Sequence, residues 1–247
     1  RAAHVVHMIR AAVLLCRRSG RETVMERSIF EQEKYQVSVF KMSATACPCV
    51  YCMVDADSVQ ALAEQLSGQK LALVTVSGMD WEKELSPWPA PRAFRGGKDF
   101  GGGADDYLNL FLQKILPCVE GQLAFSPAYR AVAGYSLAGL WALYAAYRTK
   151  CFQRLACVSG SLWYDGFLDF MRRHSNECAA DRVYFSLGDR EKVTKNQRMA
   201  VVEEQMRTAA DLLSHEGINT VFEQNPGGHF QEPVERLSKG IRWILED

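Results

Sequence analysis

The segment Arg130-Ala131-Val132-Ala133-Gly134-Tyr135-Ser136-Leu137-Ala138-Gly139-Leu140-Trp141 decides how the rest of the chain is read. Residues 130–135 form an apolar run of strand length, and 137–149 carry the Ala, Leu and aromatic residues of a buried helix. The chain must therefore pass from strand to helix in one sharp turn at Ser136. Glycines at 134 and 139 stand on either side of it. Lacking Cβ atoms, they let the helix approach the strand closely, while the serine carries the strain of the turn. Its hydroxyl then points out above the sheet at a helix N-terminus. The unpaired N–H groups and the dipole there favour negative charge.

Outward from this turn, strands alternate with helices. Strands are expected at 35–42, 49–54, 71–76, 130–135, 154–158, 182–187 and 220–224. Helices are expected at 57–66, from Asp105 or Asp106 to Pro117, and at 137–149, 166–174, 197–215 and 233–245. Such βαβ units predict an α/β fold: a mostly parallel central sheet of seven or eight strands, flanked by helices on both faces. Residues 77–103 form a long irregular stretch, expected as a lid or binding segment. Its run from Gly96 to Gly103 is no phosphate loop, because Asp99 rather than Ser or Thr follows Lys98.

In an open α/β sheet the site lies at the carboxyl ends of the strands. Read against G-x-S-x-G, with Gly139 as the second glycine, the turn is a nucleophile elbow. That reading requires an acid after the penultimate strand and a histidine after the last. His229, in Asn225-Pro226-Gly227-Gly228-His229-Phe230, follows strand 220–224. After strand 182–187 come Asp189 and Glu191. The G-x-x-D/E spacing selects Glu191, and Asp189 is the alternative, placed to brace the loop or pair with Arg190. The acid would fix the imidazole tautomer and stabilise the imidazolium.

These motifs, with Val50-Tyr51-Cys52-Met53-Val54-Asp55-Ala56-Asp57 and Ser159-Gly160-Ser161-Leu162-Trp163, carry a family resemblance. From about residue 28 to 247 the chain resembles the Putative esterase family of α/β-hydrolases. That family includes enterochelin (siderophore) esterases, S-formylglutathione hydrolases and feruloyl esterases. The resemblance implies a serine esterase with an acyl-enzyme intermediate, no metal and no organic cofactor. It also implies an oxyanion hole built from backbone N–H groups of Leu137 and, at the early strand end, Asp57. The family has D-G-x there; here Ala56 replaces the glycine. Trp81, Trp88 and Trp163 fall in post-strand loops, where they line a substrate pocket or serve ordinary packing. Arg92 and Arg95 are either solvated or receive an anionic group. A thioesterase, an acyltransferase and a non-catalytic binding protein on the same fold are the alternatives.

Composition narrows the class further. Twenty-nine basic and 29 acidic side chains give zero net charge, which argues against a nucleic-acid partner. No apolar run reaches the length of a membrane span. A small-molecule ester is the expected partner, and the sequence leaves the oligomeric state open. The eight cysteines include Cys49-x-x-Cys52, which lies inside an apolar run with no further ligands at zinc spacing. Reduced, buried thiols are expected, hence a reducing, cytoplasmic compartment. Residues 1–24, rich in arginine and unlike a signal peptide, are set apart as an extension of the domain expected over 25–247.

Overall fold

The computed structural model describes residues 8–18 and 21–246. In chain order the strands are β1 (Met8–Arg18), β2 (Arg21–Gln32), β3 (Tyr35–Lys41), β4 (Cys49–Met53), β5 (Ala72–Ser77), β6 (Pro89–Ala90), β7 (Phe100–Gly101), β8 (Arg130–Tyr135), β9 (Arg154–Val158), β10 (Arg182–Gly188) and β11 (Asn219–Asn225). Nine of them form one sheet in the order β1-β2-β3-β5-β4-β8-β9-β10-β11. From β5 to β11 every neighbour is parallel; β1, β2, β3 and β5 are joined antiparallel.

The period of two along each strand divides the core between the two faces of the sheet. Cys49, Tyr51 and Met53 of β4 join the core that contains the helix Leu137–Arg148. Val50 and Cys52 turn to the other core, beneath the helices Val59–Gln65 and Pro233–Leu245. Both faces are therefore covered, as continuous apolar strands require. The fold is that of an α/β-hydrolase, as expected. Because β4, β8, β10 and β11 run in one direction, the loops after them gather at a single edge of the sheet.

Three segments differ from the sequence-based expectation. Residues within 1–24, set apart in the sequence, contribute β1 and the start of β2 at the antiparallel edge of the sheet. The helix beginning at Ala104 does not stop at Pro117. It passes through a wider π turn at Phe111–Ile115 and continues over Leu116–Glu120. The wide turn interrupts the regular i→i−4 ladder just where the proline has no N–H to donate. The segment 77–103 is tied down rather than free. Asp80 caps the short helix Trp81–Glu84, and β6 pairs with β7. Trp88 Nε1 donates to the Asp165 carbonyl at 3.0 Å, and Asn196 Nδ2 to the Ala93 carbonyl at 2.6 Å. Among the described residues no helix is long and apolar enough to cross a membrane, and seven cysteines are free.

Candidate active site

Ser136 has φ 59° and ψ −124°, a backbone conformation that side chains rarely adopt. The close packing around it explains the glycines. A Cβ on Gly134 would lie 2.2 Å from the backbone of Ala138, and one on Gly139 would lie 2.9 Å from the Gly134 carbonyl oxygen. The elbow departs from G-x-S-x-G by one place: Ala138 occupies the last position, and Gly139 supplies the missing side-chain space. Leu137 is the first residue of the helix that follows, so its N–H belongs to the unpaired first turn.

The loops after β8, β10 and β11 bring three predicted residues into one hydrogen-bonded chain. His229 Nε2 lies 3.1 Å from Ser136 Oγ, and His229 Nδ1 lies 2.7 Å from Glu191 Oε2. Glu191 is only 4% exposed. Its other oxygen, Oε1, accepts from the Gly188 N–H at 2.7 Å, from Ser159 Oγ at 2.7 Å and from Arg236 Nη1 at 3.2 Å. Arg236 comes from the C-terminal helix, is 3% exposed, and also donates to the Pro226 carbonyl at 2.6 Å. Tyr135 OH donates to the His229 carbonyl and holds the histidine loop from below.

Asp189, the alternative acid, serves the loop instead. Its Oδ1 accepts the Gly227 N–H at 2.8 Å, while the Arg190 N–H donates to the Gly227 carbonyl at 3.1 Å. The loop after β10 and the histidine loop are thereby stitched together around Gly227. A Cβ on Gly188 would lie 2.2 Å from the Gly227 oxygen, so the approach also needs glycine there.

Ser159-Gly160-Ser161 touches both ends of the chain. Ser159, at φ 45°, reaches Glu191, and Ser161 Oγ lies 3.4 Å from Ser136 Oγ. The sequence singled out this segment without a role for either hydroxyl. Nothing in the sequence distinguished Arg236 from the other arginines of an amphipathic helix.

Burial works to raise the Glu191 pKa. The hydrogen bonds from His229 and Ser159, the charge of His229 and the Gly188 N–H outweigh it and hold the carboxyl below its ordinary value of 4.5. A folded-state pKa depressed in this way gives stability that is present above the unfolded value and lost as pH falls through the folded one. Thermal midpoints are therefore expected to fall below about pH 4.5, and Glu191→Gln is expected to flatten that fall. A differential scanning series across pH 3–7 on both proteins checks this; identical acid slopes would count against it.

Ser136 and His229 line two adjoining cavities, of about 280 and 620 Å³. Trp81 lines both, and Trp163 lines the larger. Trp163 also packs on Phe100 and Tyr164. Trp88 packs on Tyr164, Phe167 and Phe170 and lines neither cavity. Arg92, expected to bind substrate, is turned away: its Nε pairs with Asp99 Oδ1 at 3.1 Å, and it lines neither cavity. Lys98 and Arg190 are the cations of the larger cavity. On the turn after β4, Asp55 lines both cavities and Ser58 the smaller one; Asp57, expected to give the second oxyanion donor, lies between them in the short helix Ala56–Ser58 and lines neither.

A model of the Esterase family, described as Putative esterase, matches residues 49–234. "Uncharacterized protein YbbA" of Bacillus subtilis (strain 168) is 27% identical over 141 residues, which cover 55% of this chain and 56% of that protein. The chain thus matches little more than half the length of that curated relative. Among solved structures, an IroE-like serine hydrolase from Shewanella oneidensis superposes with TM-score 0.70 at 19% identity, covering 96% of this chain and 79% of that one. The siderophore hydrolase EstB from Aspergillus nidulans gives 0.65 at 18%, covering 99% and 98%. An enterochelin esterase from Shigella flexneri gives 0.67 at 18%, covering 90% and 57%. At these identities the likeness to the solved structures is one of fold.

Proposed function

Because the chain belongs to the Putative esterase family of α/β-hydrolases, we propose that it hydrolyses a carboxylic ester through Ser136, His229 and Glu191. The unbroken chain of hydrogen bonds from Ser136 Oγ through His229 to Glu191 carries this reading. His229 Nε2 takes the hydroxyl proton as Ser136 Oγ attacks the ester carbonyl. The oxyanion is stabilised by the Leu137 N–H and, after β4, the Asp57 N–H. The imidazolium returns the proton to the leaving alcohol, and an acyl-enzyme remains. A water deprotonated by His229 then attacks the acyl carbon and regenerates Ser136. Glu191 holds Nδ1 protonated throughout; its 2.7 Å contact supports it over Asp189, whose carboxylate is engaged with Gly227.

The substrate is taken to be a siderophore-type or aryl ester, the larger cavity receiving it against Trp81 and Trp163. The names siderophore hydrolase and enterochelin esterase among the structural neighbours support that class. The free cysteines support a reducing, cytoplasmic location.

The test is turnover of p-nitrophenyl butyrate, together with fluorophosphonate labelling read by mass spectrometry of the Ser136 peptide. Hydrolysis and a labelled Ser136 are expected; the absence of both signals would end the esterase reading. Glu191→Gln is expected to lower kcat by about 10³- to 10⁴-fold, and Asp189→Asn by about tenfold or less. The reverse ranking would make Asp189 the acid, and a small effect of both would mean a Ser–His pair.

A further inference from the structure

An ester has two arms that meet at the carbonyl, and two cavities meet at Ser136. The smaller is a recess of about 280 Å³ between the helix Val59–Gln65, the C-terminal helix and the histidine loop. Its floor is Met53, Val54, Leu62 and Leu237, each 5% exposed or less. Val54, Leu62 and Leu237 belong to the packed core on that face of the sheet, and Met53 to the core on the opposite face. A close-packed floor does not yield to a longer guest, so the recess has a fixed depth.

The two cavities differ in their cations. Asp55 lines both and Ser58 the recess alone, and no lysine or arginine stands in the recess lining. Tyr135 OH, also in the lining, is already engaged with the His229 carbonyl. Lys98, Arg190 and Leu137, the expected oxyanion donor, line the larger cavity. An anionic group in the recess would be desolvated beside Asp55 with no cation to meet it. At about 280 Å³ the recess has less than half the volume of the larger cavity, at about 620 Å³.

We infer that this recess is a subsite for one uncharged, apolar arm of the ester, of limited length, while the other arm lies in the larger cavity. Leu237 and Leu62 set the length. The inference rests on the esterase reading for its catalytic consequence, but the recess binds an apolar chain whether or not Ser136 acts.

Two homologous series test it: p-nitrophenyl esters of acids from acetate to dodecanoate, and alkyl esters of one short acid. In one series kcat/KM is expected to rise about fourfold per methylene to an optimum at intermediate length and then fall. Leu237→Trp should move that optimum to shorter chains and Leu237→Ala to longer ones, so a destabilised tryptophan variant does not decide the matter alone. A terminal carboxylate on the same arm should lower kcat/KM at least 100-fold. Neutral methyl ketones of rising length, titrated calorimetrically into the Ser136→Ala protein, supply a readout free of turnover. Their affinity should show the same optimum and the same shifts in Ser136→Ala/Leu237→Trp and Ser136→Ala/Leu237→Ala. Ketone binding with that optimum but no ester turnover would sink the esterase reading and leave the recess standing. Turnover with no length optimum, or an optimum that neither Leu237 substitution moves, would overturn the subsite.

Discussion

Ser136→Ala is expected to lower kcat for p-nitrophenyl butyrate by about 10⁴- to 10⁶-fold, with the fold intact. The alanine removes only a hydroxyl from a turn whose shape is set by the backbone contacts of Gly134, Ala138 and Gly139. Ser161 is the nearest other hydroxyl, its Oγ 3.4 Å from that of Ser136. It does not rescue the reaction, because it is 1% exposed and no hydrogen bond joins it to His229. Ser136→Gly should be as inactive yet more stable than Ser136→Ala by about 1 kcal/mol, since glycine meets no penalty at φ 59°. Steady-state kinetics and thermal melts of the two variants decide this. More than a tenth of wild-type activity in either would exclude Ser136 as the nucleophile.

Arg236→Met is expected to cost about 3–5 kcal/mol of stability. Arg236 is the cation facing Glu191 Oε1, and both side chains are nearly fully buried. Removing it leaves a buried carboxylate whose charge is met only by His229, Ser159 and the Gly188 N–H. It also strips the Pro226 carbonyl of its donor. Glu191→Gln combined with Arg236→Met should recover part of the loss, because the stranded charge is then gone, but none of the activity. Urea melts with unchanged m values would read these differences. A loss below 1 kcal/mol in the single variant, or additive losses in the double one, would show that the pair matters little.

The parallel half of the sheet was legible because strands covered on both faces are continuous apolar runs, as in 49–54, 71–76 and 130–135. The turn at Ser136 and the glycines before His229 pointed to the ends of two strands, and the distances between those side chains agree with that placement. The antiparallel edge was not legible. Arg10, Arg17, Arg18, Arg21 and Arg27 interrupt residues 8–32, and an edge strand need not be apolar. Pro117 read as a stop because a π turn leaves no mark in the sequence. Arg92 and Lys98 sit in one loop and look equivalent as letters; pairing with Asp99 separates the first from the cavity that the second lines. Arg236 was invisible for a similar reason. An inward-facing arginine is identified by the acid it meets, and Glu191 lies 45 residues away.

The stitching around Gly227 has a consequence for motion. β11 is an edge strand of the described sheet, held by β10 alone, and it feeds the loop that carries His229. Asp189, Arg190 and Gly227 join that loop to the one that carries Glu191. The acid and the base thus belong to one cooperative unit at the margin of the molecule, while Ser136 is anchored in its centre between β8 and a buried helix. Local opening of the margin releases both partners together and leaves the serine in place. In hydrogen exchange, the amides of 189–190 and 227 should open with one shared free energy, lower than that of β8. On heating, the proposed esterase activity should be lost reversibly before the core melts.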